Sequence, residues 1–250
     1  MLDSTFYDGF HEATAAPTAI PAESEFTYHI ILSLIKPYAH AGVNALDIGC
    51  ANGSLALYMA NNGASVDGID ISPKAIQAAA NGAKKHGLSD KAHFEVKLLD
   101  EVPDTKQYDL VTIIEVLEHL ENDGDVLKKI FNVLASGGHL LVTVPSKRSL
   151  VHRIKMVFVH KDDFDERVGH LRRYTFKRLE QLVTDAGFEI VRSAPGEGPL
   201  RNMLFAVARL ERYVGAIERR PWFRKPFEAL DTLATKVVGE AQLTVIAKKN

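Results

Sequence analysis

The stretch ALDIGCANGS, residues 45 to 54, joins a short apolar run to a glycine-containing turn. Asp47 lies within the run, and Gly49 and Gly53 frame the turn. Glycine at such positions allows a sharp reversal and a close approach of the backbone to a ligand. The dinucleotide fingerprint G-x-G-x-x-G would require two further glycines, where this chain has Ala51 and Ser54. The stretch therefore predicts a nucleotide-binding turn that departs from the dinucleotide pattern.

Strand and helix patterns alternate along most of the chain. The β-rich runs occupy residues 44–49, 65–70, 92–99, 108–114, 138–144, 188–194 and 241–249. Helical spacing of apolar residues covers 53–62, 73–86, 123–135 and 175–186, and an earlier helix ends near Pro37. Strands that alternate with helices indicate a parallel sheet that is covered on both faces. The fold class is therefore α/β, with a doubly wound, Rossmann-like sheet of seven strands.

Composition restricts the class of protein without deciding its function. The chain has 250 residues, of which 46% are hydrophobic and 25% are charged, with a formal net charge of −2. These values are ordinary for a globular protein and give no sign of a nucleic-acid partner. The single cysteine, Cys50, cannot form an internal disulfide and fits a reducing compartment. We see neither a signal-peptide pattern nor an apolar run of about 18 residues, so we expect a cytoplasmic protein.

Two segments exceed what a minimal alternating sheet needs, and they define the predicted domains. Residues 41–198 and 241–250 form the core, with a lid insert at 146–172. Residues 199–240 form a helical insert with apolar positions at helical spacing. Residues 1–40 form an arm and a helix. We expect the arm and the inserts to build a helical cap over the core.

The pattern Asp-x-Gly-x-x-x-Gly, followed by the acid Asp70 at the end of the second strand, resembles the first two motifs of the class I S-adenosylmethionine-dependent methyltransferases. The resemblance covers about residues 28 to 145. It implies a mostly parallel sheet whose last strand is antiparallel. It also implies S-adenosylmethionine as cofactor and S-adenosylhomocysteine as product. Because this cofactor has no pyrophosphate, the turn need only admit a methionine tail and a ribose.

The resemblance also implies which residues bind the amino-acid end of the cofactor. The backbone at Gly49, Cys50 and Gly53 is expected to line that end. Asp47 is expected to hold the amino group, directly or through water, and Glu115 faces the methionine end.

Three further residues are assigned in the same way to the nucleoside half. Asp70 accepts hydrogen bonds from both ribose hydroxyls, Ile71 packs on the adenine, and Asp100 lies near the adenine amino group.

The segment EVLEHLEND, residues 115 to 123, directly follows the fourth strand. A helical turn would place Glu115, Glu118 and His119 on one face, where they suit Mg²⁺, Mn²⁺ or Zn²⁺. His170 is the predicted fourth ligand. The segment resembles the E-x-x-E-H stretch of the ubiquinone-biosynthesis O-methyltransferases and of small-RNA 2′-O-methyltransferases, which implies metal-assisted methylation of a hydroxyl. Alternatively, His119 only packs or donates a hydrogen bond.

The predicted catalytic residues are Glu115, His119 and His170. Methyl transfer to a hydroxyl requires alignment of the reactants and removal of one proton. Either histidine is a candidate base, and the structural alternative for His170 is a role in the loop before the helix that Thr175 caps.

The inserts carry basic and apolar residues together, at 146–161 and at 219–227. Such segments suit the headgroup region of a membrane, and the ubiquinone-biosynthesis enzymes that the chain resembles have a lipid-contacting insertion at the first place. A lid over the substrate pocket or a homodimer contact is the alternative. The arginines at 219–227 also suit a phosphate or carboxylate on the acceptor.

The function that these patterns favour is O-methylation of a small or lipid-linked acceptor, in the cytoplasm or at the periphery of a membrane. The alternatives are an RNA 2′-O-methyltransferase, which would need a continuous basic groove, and a non-catalytic module that binds S-adenosylmethionine. Ala51 and Ser54 disfavour a nicotinamide oxidoreductase.

Overall fold

A computed structural model of the chain describes residues 19–23, 25, 28–158, 163–206, 217 and 220–250. Most of the predicted arm lies outside these residues. So do residues 159–161 of the predicted basic insert and residue 219 of the second basic segment.

Seven strands form one sheet in the order β3-β2-β1-β4-β5-β7-β6. The first five strands are parallel to one another, and β7 is antiparallel to both β5 and β6. The predicted sheet and its antiparallel last strand are thus confirmed. The strands are β1 Asn44–Ile48, β2 Ser65–Asp70, β3 Ala92–Val96, β4 Tyr108–Ile114, β5 Leu134–Pro145, β6 Glu189–Glu197 and β7 Gln242–Lys248.

Helices cover both faces of this sheet. The described helices are α1 His29–Ile35, α2 Ser54–Asn61, α3 Pro73–His86, α4 Asp123–Val133, α5 Leu150–Phe158, α6 Asp163–Val168, α7 Phe176–Asp185, α8 Pro199–Ala206 and α9 Pro221–Val238. The predicted helix cap is present: the Thr175 hydroxyl accepts a hydrogen bond from the Arg178 backbone N–H at 3.3 Å.

The strands are apolar on both sides because both faces of the sheet are buried. In β1, Leu46 and Ile48 belong to the core under α4 and α7, whereas Ala45 belongs to the core under α1 and α2. Side chains alternate between the faces of a strand, so one short run contributes to both cores. Because β1, β2 and β4 are parallel, their carboxyl ends lie at the same edge of the sheet. Ligands bind at this edge in open α/β sheets.

Three local expectations were wrong. The third strand ends at Val96, because Leu99–Glu101 turns into a 3-10 helix. The fifth strand begins at Leu134, four residues before the predicted start at residue 138, because Leu134 already pairs with Tyr108.

The third error concerns the segment after β4, which was expected to be helical from residue 115. Glu115 has a φ of 54°, and only Leu117–His119 forms a 3-10 turn. A left-handed residue ends a strand and cannot begin a right-handed helix, so Glu115 leaves the face shared by its neighbours.

The inserts contribute four of the helices that the structure describes, namely α5, α6, α8 and α9. Helices α8 and α9 pack on each other, and α5 packs on α8. Among the described residues, no helix is long and apolar enough to span a membrane. The division of the chain into core, lid and helical insert stays a prediction.

Candidate active site

The turn after β1 is held in an unusual backbone conformation. Gly49, Ala51 and Gly53 all have positive φ, at 68°, 47° and 80°. Alanine is uncommon in this region because its Cβ crowds the backbone. The carboxylate of Asp70 compensates: its Oδ2 accepts from the Ala51 N–H at 3.0 Å, and its Oδ1 accepts from the Ser72 N–H at 2.9 Å. The acid at the end of β2 therefore fixes the shape of the turn.

A cavity of about 290 Å³ opens beside this turn, at the carboxyl edge of β1, β2 and β4. Five of the predicted cofactor-binding residues line it: Gly49, Asp70, Ile71, Asp100 and Glu115. His119 lies on its wall as well. The carboxylates of Asp70 and Asp100 face the same space as the apolar Ile71. That combination suits a nucleoside, which offers hydroxyl donors and a flat apolar ring.

Cys50 and Gly53 lie behind the turn and not on the cavity wall that the structure describes. Burial raises the pKa of the Cys50 thiol well above its usual range, so Cys50 behaves as a small buried residue and not as a nucleophile. A Cβ on Gly53 would lie 2.8 Å from the Ala79 Cβ, so this glycine allows α3 to pack closely against the turn.

Asp47 is also buried behind the turn, with 3% of its surface exposed. Its Oδ1 accepts a hydrogen bond from the Thr112 hydroxyl at 2.6 Å. Burial raises the pKa of Asp47 to about 7; the Thr112 hydrogen bond opposes this shift, and the charge of Asp70 adds to it. A cationic ligand group nearby would favour the ionised form of Asp47.

The Asp47→Asn substitution should remove part of the pH dependence of stability. A carboxyl whose pKa rises on folding binds its proton more tightly in the folded state, so its ionisation destabilises the fold as pH rises. Between about pH 5 and about pH 8, we expect the free energy of unfolding of the wild type to fall by about 3 kcal/mol relative to Asp47→Asn. Urea unfolding of both proteins without ligand measures this difference; parallel pH profiles would contradict the assignment.

Glu115 lies at the junction between the cofactor cavity and the segment that follows β4. Its Oε1 accepts hydrogen bonds from the Thr143 hydroxyl and the Gln242 amide, each at 3.0 Å. Burial nevertheless raises the pKa of Glu115 above its ordinary value. The side chain is thus a fixed carboxyl group with increased basicity.

Glu118, His119 and His170 form a cluster beside Glu115. One ligand atom from each lies within 4.8 Å of the others. Glu118 is fully buried, and neither of its carboxylate oxygens has a hydrogen-bond partner among the described residues. Its Oε1 lies 3.6 Å from Nε2 of His170. Three of the four predicted metal ligands are therefore brought together, and the carboxylate of Glu115 is held outside this cluster.

Acceptor groups behind the two histidines set their orientation. His119 Nδ1 donates to the Gly169 carbonyl at 3.1 Å, and His170 Nδ1 donates to Asp165 Oδ1 at 2.9 Å. Because both partners can only accept, each imidazole carries its proton on Nδ1 when neutral. The Nε2 lone pairs are then the available ligand atoms. Burial lowers the pKa of His119 to about 4, so this ring is neutral near pH 7.

Sequence reasoning missed the residues that support this cluster. Arg173 holds Asp165 through two hydrogen bonds, from Nε at 2.8 Å and from Nη2 at 2.6 Å. The Arg173 ion pair and the His170 hydrogen bond keep the pKa of Asp165 well below its usual value, against the effect of burial. The short spacing of Asp165, His170 and Arg173 along the chain was a local signal that these side chains could interact. Gln242 had none, since it reaches Glu115 from the last strand.

Known proteins of similar sequence are ubiquinone biosynthesis O-methyltransferases. The one from Psychrobacter arcticus is 35% identical over 157 residues, which is 59% of this chain and 60% of that protein. The one from Marinobacter nauticus is 38% identical over 109 residues, or 41% of this chain and 44% of that protein. The chain thus spans about half the length of the curated relatives it matches.

Solved structures of similar fold cover nearly the whole chain at low identity. The [4+2]-cyclase SpnF has a TM-score of 0.68 at 21% identity and covers 99% of this chain and 97% of its own. Magnesium protoporphyrin IX methyltransferase from Synechocystis, solved with bound S-adenosylhomocysteine, has a TM-score of 0.65 at 16% identity, with coverage of 99% and 96%. These likenesses establish the fold.

A family model places the chain among its relatives. The model described as a methyltransferase domain matches residues 25–193, a range that contains the turn after β1, Asp70, Glu115 and the Glu118–His119–His170 cluster. The chain therefore belongs to the methyltransferase-domain family, as its resemblance to the ubiquinone-biosynthesis O-methyltransferases predicted.

Proposed function

We propose that the chain transfers the methyl group of S-adenosylmethionine to a hydroxyl oxygen of a small or lipid-linked acceptor, with the help of a divalent cation. The observation that carries this proposal is the adjacency of two features. The cavity at Asp70 and Ile71 shares His119 with the cluster of Glu118, His119 and His170, in which the carboxylate of Glu118 is buried.

The cofactor half of the proposal rests on the turn after β1. S-adenosylmethionine supplies a methyl group on a positively charged sulfur that is already a good leaving group. Asp70 keeps lone pairs for two ribose hydroxyls, because each of its oxygens accepts only one backbone N–H. Asp47 would gain a cationic partner in the amino group. The O-methyltransferase names of the similar sequences support oxygen as the acceptor atom.

The cluster fits a divalent cation on its chemistry. A buried carboxylate without hydrogen bonds is costly unless a positive charge compensates it. Two imidazoles, each fixed through Nδ1 by an acceptor, are typical of metal ligands with their supporting groups. We therefore propose Glu118, His119 and His170 as ligands for Mg²⁺, Mn²⁺ or Zn²⁺. A bound cation would lower the pKa of a coordinated hydroxyl.

The proton of the acceptor hydroxyl needs a base beside the methyl group. We assign this role to Glu115, which lines the cofactor cavity and whose pKa is raised by burial. His119 is the weaker choice, because its pKa of about 4 leaves it a poor base. His170 serves as a ligand, with Asp165 positioning its ring. The expectation that Glu115 is a metal ligand beside Glu118, His119 and His170 stays a prediction.

Methyl transfer has to be measured, since a protein named as a [4+2]-cyclase shares this fold. The test is titration with S-adenosylhomocysteine, followed by transfer of a labelled methyl group to hydroxylated acceptors with and without Mg²⁺. Binding that requires Asp70 supports the cofactor assignment. Binding of NADH instead, or of neither ligand, would overturn it.

Peripheral membrane contact, a homodimer and a cytoplasmic location stay predictions. Two helices of the cap expose apolar side chains, which supports a surface contact. Phe158 at the end of α5 is 79% exposed, and Trp222 at the start of α9 is 72% exposed. Such rings suit the interfacial region of a membrane.

A further inference from the structure

A second cavity, of about 440 Å³, lies beside the cluster of Glu118, His119 and His170, and we call it the outer cavity. His170 lines this outer cavity, whereas His119 lines the cofactor cavity. The centroids of the two rings are 5.0 Å apart. The histidine pair therefore forms the wall between the two cavities, and a ligand in the outer cavity would lie next to the proposed reaction centre.

The wall of the outer cavity carries an excess of positive charge. Its acid, Asp165, is neutralised by the forked hydrogen bonds from Arg173. Arg172 pairs with Asp123 at 3.1 Å, and that acid also accepts a hydrogen bond from the Tyr174 hydroxyl.

Two cations of this wall are not neutralised in the same way. Across the described ranges, neither Lys147 nor Arg153 has a carboxylate within ion-pair distance, and the guanidinium of Arg153 donates a hydrogen bond to the Val238 carbonyl at 3.1 Å. An anionic group entering the cavity would complete the charge balance.

Apolar side chains lie beside these cations. Met156, Val157 and Leu171 line the same cavity and are 43%, 65% and 53% exposed. Burying them under a ligand would be favourable in proportion to the apolar area removed from water. The cavity thus combines two cations with an apolar wall, which suits a ligand that has both an anionic group and an apolar part.

We propose that the outer cavity binds a carboxylate or phosphate group of the methyl acceptor through Lys147 and Arg153. The apolar part of the acceptor then packs on Met156, Val157 and Leu171, and its hydroxyl reaches the cluster at His170. This inference rests on the proposed function, because it takes the cluster as the reaction centre. It narrows the acceptor class to anionic molecules with an apolar portion.

The test compares Lys147→Gln/Arg153→Gln with a control that removes the same charge elsewhere, Lys84→Gln/Lys85→Gln on the exposed end of α3. Each protein, saturated with S-adenosylhomocysteine, is titrated with hexyl phosphate, inorganic phosphate and hexanol. We expect hexyl phosphate to bind the wild type more tightly than the other two probes. We expect the cavity variant to weaken that binding at least about tenfold, or 1.4 kcal/mol, and the control variant to leave it unchanged.

The controls separate this inference from the proposed function and from a membrane contact. If the wild type does not bind S-adenosylhomocysteine, the proposed function is wrong. Retained S-adenosylhomocysteine binding with equal hexyl phosphate affinity in all three proteins would overturn only the acceptor inference. Sedimentation with vesicles of phosphatidylcholine, with and without phosphatidylglycerol, tests the lipid source. If the cavity variant loses only the binding to phosphatidylglycerol vesicles, the cations contact a membrane and the inference is wrong.

Discussion

The Glu118→Gln substitution is expected to abolish most divalent-cation binding and, at the same time, to stabilise the cation-free protein. Glutamine keeps the shape of the side chain and removes its charge. Loss of a charged ligand should weaken cation binding at least about a hundredfold, the upper end of what losing a supporting residue costs. Stability should rise at mildly alkaline pH, because the carboxylate is fully buried without a hydrogen-bond partner among the described residues.

The control for this variant is Glu121→Gln, which makes the same change three residues later on an exposed side chain. Calorimetric titration with Mg²⁺, Mn²⁺ and Zn²⁺ measures cation affinity, and urea unfolding measures stability. If Glu118 binds the cation, Glu118→Gln should weaken cation binding and raise the free energy of unfolding. If Glu118→Gln destabilises the protein and leaves cation affinity unchanged, Glu118 is a structural residue and the cation proposal fails.

The Gly49→Ala substitution is expected to produce the largest loss of stability at the cofactor turn. Gly49 has a φ of 68°, and an added Cβ would overlap Cγ2 of Val116. The left-handed conformation costs a non-glycine residue about 1–2 kcal/mol, and overpacking adds about 1–3 kcal/mol. We expect a total of roughly 2–5 kcal/mol, together with weakened S-adenosylhomocysteine binding, since Val116 also lines the cavity.

Gly87 provides the matched control for the backbone contribution. Its φ is 69°, and nothing lies within 4 Å of an added Cβ. Gly87→Ala should therefore cost only the conformational part, about 1–2 kcal/mol, and should leave ligand binding unchanged. Equal destabilisation in the two variants would show that the contact with Val116 does not constrain the turn.

The sequence predicted the sheet well because its signals are local. Each parallel strand is an apolar run buried on both faces, and the runs alternate with helical patterns of ordinary length. The glycines at 49 and 53 and the acid at 70 mark the turn for the same reason, since a left-handed backbone and its hydrogen-bonding carboxylate leave a pattern in the sequence. The antiparallel β7 followed from family resemblance and not from periodicity, and the order of the strands came only from the structure.

The details of the cluster depended on contacts between distant segments. Gln242 and Thr143 come from two other strands to hold Glu115, and no spacing along the chain reveals such a meeting. The left-handed conformation of Glu115 was equally hidden, because glutamate is an ordinary helix former. His119 and His170 were each identified from the sequence. Only the structure shows that their rings lie together and line two different cavities.

The turn after β1 and the acid Asp70 are expected to bind S-adenosylmethionine, and calorimetric titration with S-adenosylhomocysteine measures this binding. The wild type should bind, and Asp70→Ala should weaken binding by at least about tenfold, or 1.4 kcal/mol, because two ribose hydroxyls lose their acceptor. An Asp104→Ala variant, at an exposed carboxylate away from the cavity, should bind as the wild type does. If the wild type does not bind, or if Asp70→Ala binds equally well, the turn and Asp70 are not the binding site for S-adenosylmethionine.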